Sequence, residues 1–385
     1  MLKRKLRMGM IGGGRGAFIG KVHRTAARLD GQIELTAGCF SADSEKSRLS
    51  GRDLFLDPAR IYRSYEEMAE KETVLPEDTR IDFVSIVTPN HLHYPIAACF
   101  LKAGFHVVCE KPMADSLAEA RQLRQLVEKT SRIFALTHNY SGYPMVKEAR
   151  SWAQTGKLGD ILKIVVEYPQ GGLVRRMVQG PLKPSGWRQD PEKAGLSCCI
   201  ADIGSHAEHL ARYITGMEIE AVCAEFTSSV PGSPLENDGN ILLRYRGGVK
   251  GLLFASQICG GEENALNIRV YGTNASLEWR QEYPGDLTAK YPGQPRQILR
   301  RGNPYLCEAA KKHTRLPAGH PEAFIEAFAN IYAETAEAIR AAASGKKKKQ
   351  YDFPGARDGL LGMAFIEACV KSAASNRKWT PVPAV

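Results

Sequence analysis

Between residues 7 and 140, short apolar runs alternate with longer segments whose apolar positions recur at helical spacing. The short runs are rich in branched residues and predict strands at residues 7–11, 33–40, 81–87, 106–109 and 133–137. Residues 93–103 predict a helix, and so does the segment that follows the capping box Ser116-Leu117-Ala118-Glu119 as far as residue 130. This alternation is typical of an α/β fold with a doubly wound parallel sheet of the Rossmann type.

From about residue 158 the apolar runs become longer and often alternate with polar residues. They predict strands of a second, α+β domain with a large open, mostly antiparallel sheet, at residues 161–168, 220–230, 240–245, 250–257, 265–271 and 276–281. The glycine-containing links at residues 246–249 and 272–275 are typical of hairpins. Two late helices are predicted at residues 321–343 and 359–375, and we expect at least one of them to pack back toward the first domain. The predicted boundary is therefore 1–142 and 143–385.

Length and composition support two cores, since 385 residues with 43% hydrophobic content exceed what one core usually holds. No apolar run approaches the roughly 20 residues of a membrane helix. Residues 1–7 carry charges without a following apolar region, so we expect no signal peptide. The nine cysteines show no CxxC spacing. Reduced thiols in a cytoplasmic protein are the expected state.

The net charge of +10 raises the question of nucleic acid binding. Such binding usually requires a basic stripe with interleaved aromatic residues. The main basic run here, residues 346–349, follows an alanine-rich helix and is typical of a solvated linker. We expect neither a nucleic acid nor a membrane partner, and the charge fits an enzyme that attracts a phosphate-bearing cofactor.

A glycine-rich turn follows the first predicted strand and leads into a helix. Such a turn lets backbone N–H groups and a helix N-terminus approach a pyrophosphate. The expected contacts with a dinucleotide are at Gly12, Gly14, Gly16, Ala17, Phe18 and Ile19. We expect Gly14→Val to abolish cofactor binding while the protein still folds.

The other predicted strands of the first domain also end in polar or charged groups. Because ligands of open parallel sheets bind at the carboxyl ends of the strands, these groups predict a cofactor site, formed by Ser41, Asp43, Thr88, Asn90, His93, Glu110, Lys111 and Asn139. Ser41 stands where an acid would bind the ribose 2′-hydroxyl of NAD, but Asp43 is close enough to replace it. Lys46 and Arg48 follow and suit the 2′-phosphate of NADP, so the choice between the two cofactors stays open.

Three motifs together resemble the Gfo/Idh/MocA family, named for glucose-fructose oxidoreductase and inositol dehydrogenase. They are Thr88-Pro89-Asn90, Glu110-Lys111-Pro112, and Gly195 followed by Asp202-Ile203-Gly204-Ser205-His206. The resemblance extends from about residue 7 to about residue 375. It implies an NAD(P)-binding domain, a substrate domain whose open sheet pairs in homodimers or homotetramers, and hydride transfer at a hydroxyl-bearing carbon of a sugar or cyclitol.

Lys111 matches the family's lysine, and a cation beside the reacting hydroxyl stabilises a developing alkoxide. The alternative interpretation of Lys111 is a surface lysine at a strand end. Glu110 either touches the cofactor ribose or pairs with a cation, and both interpretations stay open. Asp202 and His206 are four residues apart, so on a helix they share one face. The carboxylate would then bind substrate and raise the pKa of His206, which suits a general base.

A metal site at Asp202, His206 and His209 is a weaker interpretation, because hydride transfer to a nicotinamide needs no metal. We expect none. Cys198 and Cys199 depart from the small, glycine-rich segment that the family usually shows before the Asp–His pair.

The remaining candidates rest on single residues. Asn90 is either a cofactor contact or a helix N-cap. Trp187-Arg188 resembles a family Trp-Arg pair near the nicotinamide. Tyr140, Tyr143 and His320 are possible substrate contacts, although an isolated aromatic residue is usually core or surface.

The sequence therefore predicts an NAD(P)-dependent oxidoreductase acting on a secondary hydroxyl of a sugar, glycoside or cyclitol. Lys111, Asp202 and His206 are the expected catalytic residues. Two alternatives remain, a glycoside-cleaving enzyme that uses tightly bound NAD as a transient redox cofactor and a non-catalytic dinucleotide sensor.

Overall fold

The structure, a computed structural model, describes residues 4–178, 187–346 and 351–385. Two compact units can be distinguished. The first unit consists of residues 1–139 and 324–360, and the second unit of residues 140–323 and 361–385. This division differs from the predicted one mainly at residues 324–360, which the sequence interpretation gave to the second domain.

The first unit contains a five-stranded parallel sheet in the order β2-β1-β3-β4-β5. Its strands are β1 (Leu6–Gly12), β2 (Ile33–Cys39), β3 (Phe83–Val87), β4 (His106–Cys109) and β5 (Phe134–Leu136). The helices between them are α1 (Phe18–Leu29), α2 (Ser44–Asp53), α3 (Tyr65–Val74), α4 (His93–Lys102) and α5 (Leu117–Thr130). All five predicted strands are present, and the order places the topological switch point between β1 and β3, where such sheets bind ligands.

The core of the first unit includes a helix from late in the sequence. Phe328, Tyr332, Ala336 and Ile339 are buried in one cluster with residues of β1 and α1. Their spacing of three and four residues puts them on one face of a helix, here α11 (Phe324–Ala343). Because that apolar face completes the core, residues 324–343 belong to the first unit.

The second unit contains a nine-stranded sheet in the order β13-β12-β11-β10-β6-β9-β8-β7-β14. Neighbouring strands are antiparallel except for the parallel pair β6 and β9. The strands are β6 (Ile161–Pro169), β7 (Ile219–Thr227), β8 (Asp238–Tyr245), β9 (Lys250–Ser256), β10 (Asn267–Gly272), β11 (Ser276–Arg280), β12 (Asp286–Lys290), β13 (Gln297–Arg300) and β14 (Trp379–Pro381). The α/β fold with a mostly antiparallel second sheet is thereby confirmed.

Three of these strands were not predicted from the sequence, namely β12, β13 and β14. Each has five residues or fewer, and β13 has no buried residue. An alternation this short is indistinguishable from a loop in a single sequence.

The helices of the second unit are α6 (Pro144–Gln154), α7 (Gly172–Val178), α8 (Pro191–Ala194), α9 (Ser205–Thr215), α10 (Glu308–Lys312) and most of α12 (Ala356–Ala373). Helices α6 and α9 pack on one face of the sheet. On β8, buried residues alternate with exposed ones such as Leu242, so the opposite face of this strand is open in the isolated chain. In the described parts of the chain, every helix is too short or too polar to cross a membrane.

Candidate active site

The glycine-rich turn between β1 and α1 depends on the absence of side chains. Gly12, Gly13 and Gly16 have φ values of +80°, +69° and +80°, which L-residues rarely adopt. A Cβ on Gly20, in α1, would lie 2.3 Å from the carbonyl oxygen of Gly13. The helix therefore begins in direct contact with the turn.

The N-terminus of α1 is suited to an anion. Ala17 occupies the N-cap position without a side-chain hydrogen bond, and the first turn of the helix carries no acidic residue. The first N–H groups of the helix and the positive end of its dipole can thus serve a phosphate. This geometry fits the pyrophosphate of a dinucleotide at the predicted positions from Gly12 to Ile19.

Gly14 packs closely against other parts of the first unit. A Cβ at this position would lie 2.6 Å from Ser50 Oγ and 2.9 Å from the carbonyl oxygen of Phe40. A side chain at residue 14 would therefore collide with the protein itself. The expectation that Gly14→Val leaves folding intact is wrong, because the turn packs against α2 and the end of β2.

The region at the end of β2 carries both negatively and positively charged side chains. Asp43 caps α2, because its Oδ1 accepts a hydrogen bond of 2.8 Å from the N–H of Lys46. The hydroxyl of Ser41 accepts a bond of 3.2 Å from the N–H of Asp43. Arg15, in the glycine-rich turn, pairs with Asp53 at 2.5 Å. This region holds a carboxylate suited to a ribose hydroxyl and cations suited to a 2′-phosphate.

His93, a predicted cofactor contact, bridges two loops of the protein. Its Nδ1 lies 2.6 Å from the carbonyl oxygen of Pro112, and its Nε2 lies 2.9 Å from that of Thr88. Burial lowers the pKa of His93, although the two carbonyls oppose that effect. With both ring nitrogens directed at backbone oxygens, His93 holds the loops after β3 and β4 together.

Two polar atoms are buried at the ends of β3 and β5. Thr88 Oγ1 and Asn139 Nδ2 have no hydrogen-bond partner within the described parts of the chain. Buried polar atoms are usually satisfied, so these two fit a bound cofactor. Asn90 is also buried. It begins a short 3-10 turn, and the N-cap of α4 is Leu92, so Asn90 is not the cap of that helix.

Glu110 contacts a histidine of the first unit, and its contact with the cofactor ribose stays a prediction. Its Oε1 lies 2.8 Å from His23 Nε2 and accepts a bond of 2.5 Å from Thr137. Burial opposes ionisation of Glu110, but His23, Lys111 and Thr137 hold its pKa below the ordinary value. Lys111 follows at the end of β4 and is partly buried.

Asp202 and His206 lie in the second unit, Asp202 on a segment that is not a regular α-helix and His206 in the first turn of α9. Residues Ile200–Gly204 form a π-helical turn that runs directly into α9. Such turns are rare and occur frequently at functional sites. Asp202 Oδ2 lies 3.3 Å from Arg188 Nε and accepts a bond of 3.3 Å from Gln257 Nε2. His206 is almost completely buried.

Aromatic rings surround the imidazole of His206. The ring of Tyr140 meets it edge to face with 4.9 Å between centroids. Tyr143 stacks parallel to Tyr140 at 6.0 Å, and Trp279 contacts Tyr143 at 5.2 Å. The hydroxyl of Tyr140 bonds to that of Tyr168, and burial raises the pKa of Tyr140 to about 12. Tyr140 and Tyr143 are both buried, and Tyr140 contacts His206 directly while Tyr143 packs behind it.

The other predicted residues of the second unit lie in different surroundings. Arg188 stacks over the ring of Trp187 at 4.6 Å while it pairs with Asp202. His320 is exposed, on a loop whose backbone is held by the buried pair Arg301–Glu322 at 2.6 Å.

His209 faces the interior of the second unit. It is buried and stacks on Tyr213. Burial first, and then the charge of Arg212, hold its pKa well below the ordinary value. In the part of the chain that the structure describes, no three His, Cys, Asp or Glu side chains are grouped so as to hold a metal ion.

Two residues near the Asp–His pair were missed from the sequence. Gln257 directly follows β9 and contacts Asp202, and Glu236 precedes β8 and bonds to the segment before Asp202. Gln257 could have been found as a polar residue at the end of a predicted strand, the feature that predicted the site residues of the first domain.

Comparisons with known proteins agree with this geometry. Residues 6–138 match the model of the oxidoreductase family with an NAD-binding Rossmann fold, and residues 146–278 match the GFO/IDH/MocA C-terminal domain. An uncharacterised oxidoreductase of Bacillus subtilis is 34% identical over 98% of this chain and 97% of its own. Levoglucosan dehydrogenase of Pseudarthrobacter phenanthrenivorans is 25% identical over 99% of both chains.

A solved structure is also similar over the full length. It is an inositol dehydrogenase homolog from Azotobacter vinelandii, complexed with NADH and myo-inositol, with 34% identity, 98% coverage of both chains and a TM-score of 0.91. The predicted family, the cofactor class NAD(P) and the dehydrogenase activity are confirmed at this level. The chain belongs to the Gfo/Idh/MocA family of NAD(P)-dependent oxidoreductases.

Proposed function

We propose that this protein is a dehydrogenase that oxidises a secondary hydroxyl of a sugar, glycoside or cyclitol. The observation that carries the proposal is the nearly buried imidazole of His206, four residues after a carboxylate held by Arg188 and Gln257. A held carboxylate and an adjacent imidazole are the groups that proton removal from a hydroxyl requires. The relatives named for levoglucosan and inositol support a polyol substrate.

The cofactor site is proposed at the strand ends of the first unit. The glycine turn from Gly12 to Gly16 and the N-terminus of α1 would hold the pyrophosphate, and Ser41 and Asp43 the adenosine ribose. Thr88 and Asn139 supply buried polar atoms for the remaining contacts. When bound, the nicotinamide supplies the acceptor for the hydride of the substrate carbon.

His206 is the proposed general base. It takes the proton of the substrate hydroxyl as the hydride leaves the same carbon. Asp202 carries a negative charge that favours the imidazolium formed in this step. Contact with Tyr140 and Tyr168 restricts the orientation of the buried ring, since rings in contact restrict each other's rotation.

Lys111 is the proposed electrostatic partner of the substrate oxygen. Its ammonium group would stabilise the alkoxide that develops during oxidation and polarise the carbonyl in the reverse reaction. Trp187, Arg188 and His320 are proposed contacts of the substrate or the nicotinamide. The proposed reaction needs no metal ion, since the proton and the hydride each have an acceptor.

The test is a screen of NAD⁺ and NADP⁺ reduction against sugars, glycosides and inositols. We expect formation of the reduced cofactor with at least one polyol and a clear preference for one of the two cofactors. Cleavage of a glycosidic bond without net formation of reduced cofactor would instead identify the transient redox mechanism. Absence of both outcomes across the panel would contradict the proposal.

Self-association is proposed through the open face of the nine-stranded sheet. Leu162, Leu242 and Ile298 are 58%, 50% and 54% exposed on the strands of that sheet, and apolar strand surface of this kind favours burial against another molecule. We expect a homodimer or homotetramer, and a monomer by light scattering at micromolar concentration would contradict this. A cytoplasmic location is proposed from the nine free cysteines, five of them buried.

A further inference from the structure

Two buried residues outside the Asp–His pair converge on the segment that carries it. Glu236 lies in the connection between β7 and β8, and Gln257 directly follows β9. Both side chains are buried. In sequence they are more than thirty residues from Asp202, so only the folded second unit brings them to the π-helical turn.

Glu236 binds the beginning of that segment through several donors. Its carboxylate accepts hydrogen bonds from the Ser197 hydroxyl at 2.5 Å, from the N–H of Ile200 at 3.0 Å and from the N–H of Cys198 at 3.2 Å. Its backbone carbonyl also accepts a bond of 3.4 Å from the N–H of Cys199. The two N–H groups can only donate and the Ser197 hydroxyl can donate, so they suit an ionised carboxylate. These hydrogen bonds oppose the effect of burial, which raises the pKa of Glu236 above its ordinary value.

Gln257 links the same region to the catalytic carboxylate. Its Nε2 donates to Asp202 Oδ2 at 3.3 Å, and its Oε1 accepts a weak bond of 3.7 Å from the thiol of Cys198. Asp202 accepts only, so the amide must present its NH₂ group to Asp202. The N–H of Gln257 donates to the carbonyl of Asn237 at 2.8 Å, which places Gln257 next to the residue that follows Glu236.

This arrangement gives the Cys198 side chain a contact in the same network. Cys198 supplies an N–H to Glu236 and a thiol to Gln257, so it connects the two residues. A glycine at this position could supply only the N–H group. The orientation of the Gln257 amide is then set in part by the thiol of Cys198.

We propose that Glu236 and Gln257 are positioning residues for the Asp202–His206 pair, with Glu236 anchoring the segment at its beginning and Gln257 orienting the Asp202 carboxylate. The proposal rests on the proposed function in one respect, which is that Asp202 and His206 act in turnover. The N–H of Asp202 donates to the carbonyl of Cys198 at 2.9 Å, so an anchor on Cys198 also constrains the backbone of Asp202. External anchors therefore have a defined role in holding it.

The test compares Glu236→Gln and Gln257→Leu with the control Glu148→Gln. Glu148 is another buried carboxylate of the second unit that accepts a backbone N–H, from Cys307 at 2.6 Å. We expect the first two variants to lower kcat roughly 10- to 100-fold, as for loss of a hydrogen bond to a charged group. The cofactor dissociation constant should not change, and Glu148→Gln should keep the wild-type kcat.

A double-mutant cycle separates positioning from a general effect on the fold. In an Asp202→Asn background, Gln257→Leu should lower kcat less than about 3-fold, because residues that act through one another are not additive. Full additivity would overturn the role of Gln257. If Glu236→Gln fails to fold, Gln257→Leu still decides the outcome.

A spectroscopic measurement does not depend on turnover. The NMR titration of the His206 ring, assigned through His206→Ala, should change its midpoint in Glu236→Gln and Gln257→Leu but not in Glu148→Gln. Arg188, Tyr140, Tyr168 and His209 also face the pair and remain unchanged in all three variants.

The two possible failures are distinguishable. If the wild type oxidises a polyol and His206→Ala does not, but Glu236→Gln and Gln257→Leu keep the wild-type kcat and titration midpoint, the positioning role is wrong and the proposed function stands. If the wild type oxidises no polyol, the proposed function fails. The titration midpoints then still decide whether the two residues position His206.

Discussion

The two units place their functional groups by different means. In the first unit, the groups of the proposed cofactor site follow directly after parallel strands, as Thr88 follows β3 and Glu110 follows β4. In the second unit, the π-helical turn with Asp202 is held by Gln257 from the end of one strand and by Glu236 from the loop before another. The groups of the first unit belong to short, continuous sequence motifs. The arrangement in the second unit depends on contacts between distant parts of the chain.

The difference has a physical origin in the sheets. The carboxyl ends of parallel strands all lie at one edge, so any polar residue after a strand is brought to the same place. Antiparallel neighbours present alternating ends at an edge, and a residue's position there depends on strand order. The parallel pair β6 and β9 is the exception in the second unit, and Gln257 follows one of these two strands.

The largest expected effect falls on the second unit. His206→Ala should lower turnover about 10²- to 10⁴-fold, as for loss of one proton-transfer group, and leave cofactor affinity nearly unchanged. The pH profile of kcat/KM should lose the limb that reflects the base. A normal pH limb in His206→Ala would assign the base elsewhere.

Lys111→Ala tests the contribution of the first unit to the same reaction. Removal of a cation beside a developing oxyanion should lower kcat roughly 10²- to 10³-fold. The pH limb assigned to His206 should persist, and steady-state kinetics across the pH range would show it. Loss of that limb in Lys111→Ala, with its retention in His206→Ala, would make Lys111 the base and His206 a substrate ligand.

Gly20→Ala tests the contact between α1 and the glycine turn. The added methyl group would lie 2.3 Å from the carbonyl oxygen of Gly13, so we expect a loss of about 1–3 kcal/mol in unfolding free energy. Cofactor affinity should fall as well, since the helix must move from the turn. Gly362→Ala is the matched control, a helical glycine of α12 with open space around it.

In Gly362→Ala the helix propensity of alanine should instead stabilise the protein by about 0.5–1 kcal/mol. Chemical denaturation of both variants, with calorimetric titration of NAD⁺ and NADP⁺, provides the measurement. Equal stability of the two variants would show that the turn and helix do not require the close approach seen at Gly20.

The smallest expected effect concerns the pH dependence of stability. Because the folded pKa of Glu110 lies below its ordinary value of 4.5, its ionised form stabilises the fold above that pH. That contribution is lost as the pH falls from 4.5 through the lower folded pKa. Glu110→Gln should therefore show a flatter dependence of unfolding free energy on pH in this acidic range. Urea denaturation between about pH 7 and about pH 3 measures it, and an unchanged slope would contradict the role of the His23 contact.

The sequence predicted the strands of the first unit well, and with them the polar residues that the parallel sheet brings to one edge. All five parallel strands were found because each is short and rich in apolar residues, and all but β2 are almost fully buried. The close packing of Gly14 was not predicted, because its neighbours Ser50 and Phe40 approach only in the folded chain. The two contacts of His93 with backbone carbonyls were missed for the same reason.

In the second unit, the sequence predicted Asp202 and His206 through their spacing and the family motif. It could not predict the π-helical turn, since four-residue spacing is compatible with either helix type. Glu236 and Gln257 carried no recognisable motif. Their contacts arise from the order of β7, β8 and β9, which brings the loop before β8 and the end of β9 to the segment that carries Asp202.

The most direct test of the central claim is transfer of deuterium from carbon to cofactor. The wild-type protein would be incubated with NAD⁺ or NADP⁺ and polyols deuterated at their carbinol carbons, including myo-inositol, glucose and levoglucosan. We predict that mass spectrometry detects deuterium in the reduced nicotinamide with at least one polyol, and that His206→Ala suppresses it. Reduced cofactor without deuterium, or no labelled cofactor with any polyol, would contradict hydride transfer from a hydroxyl-bearing carbon.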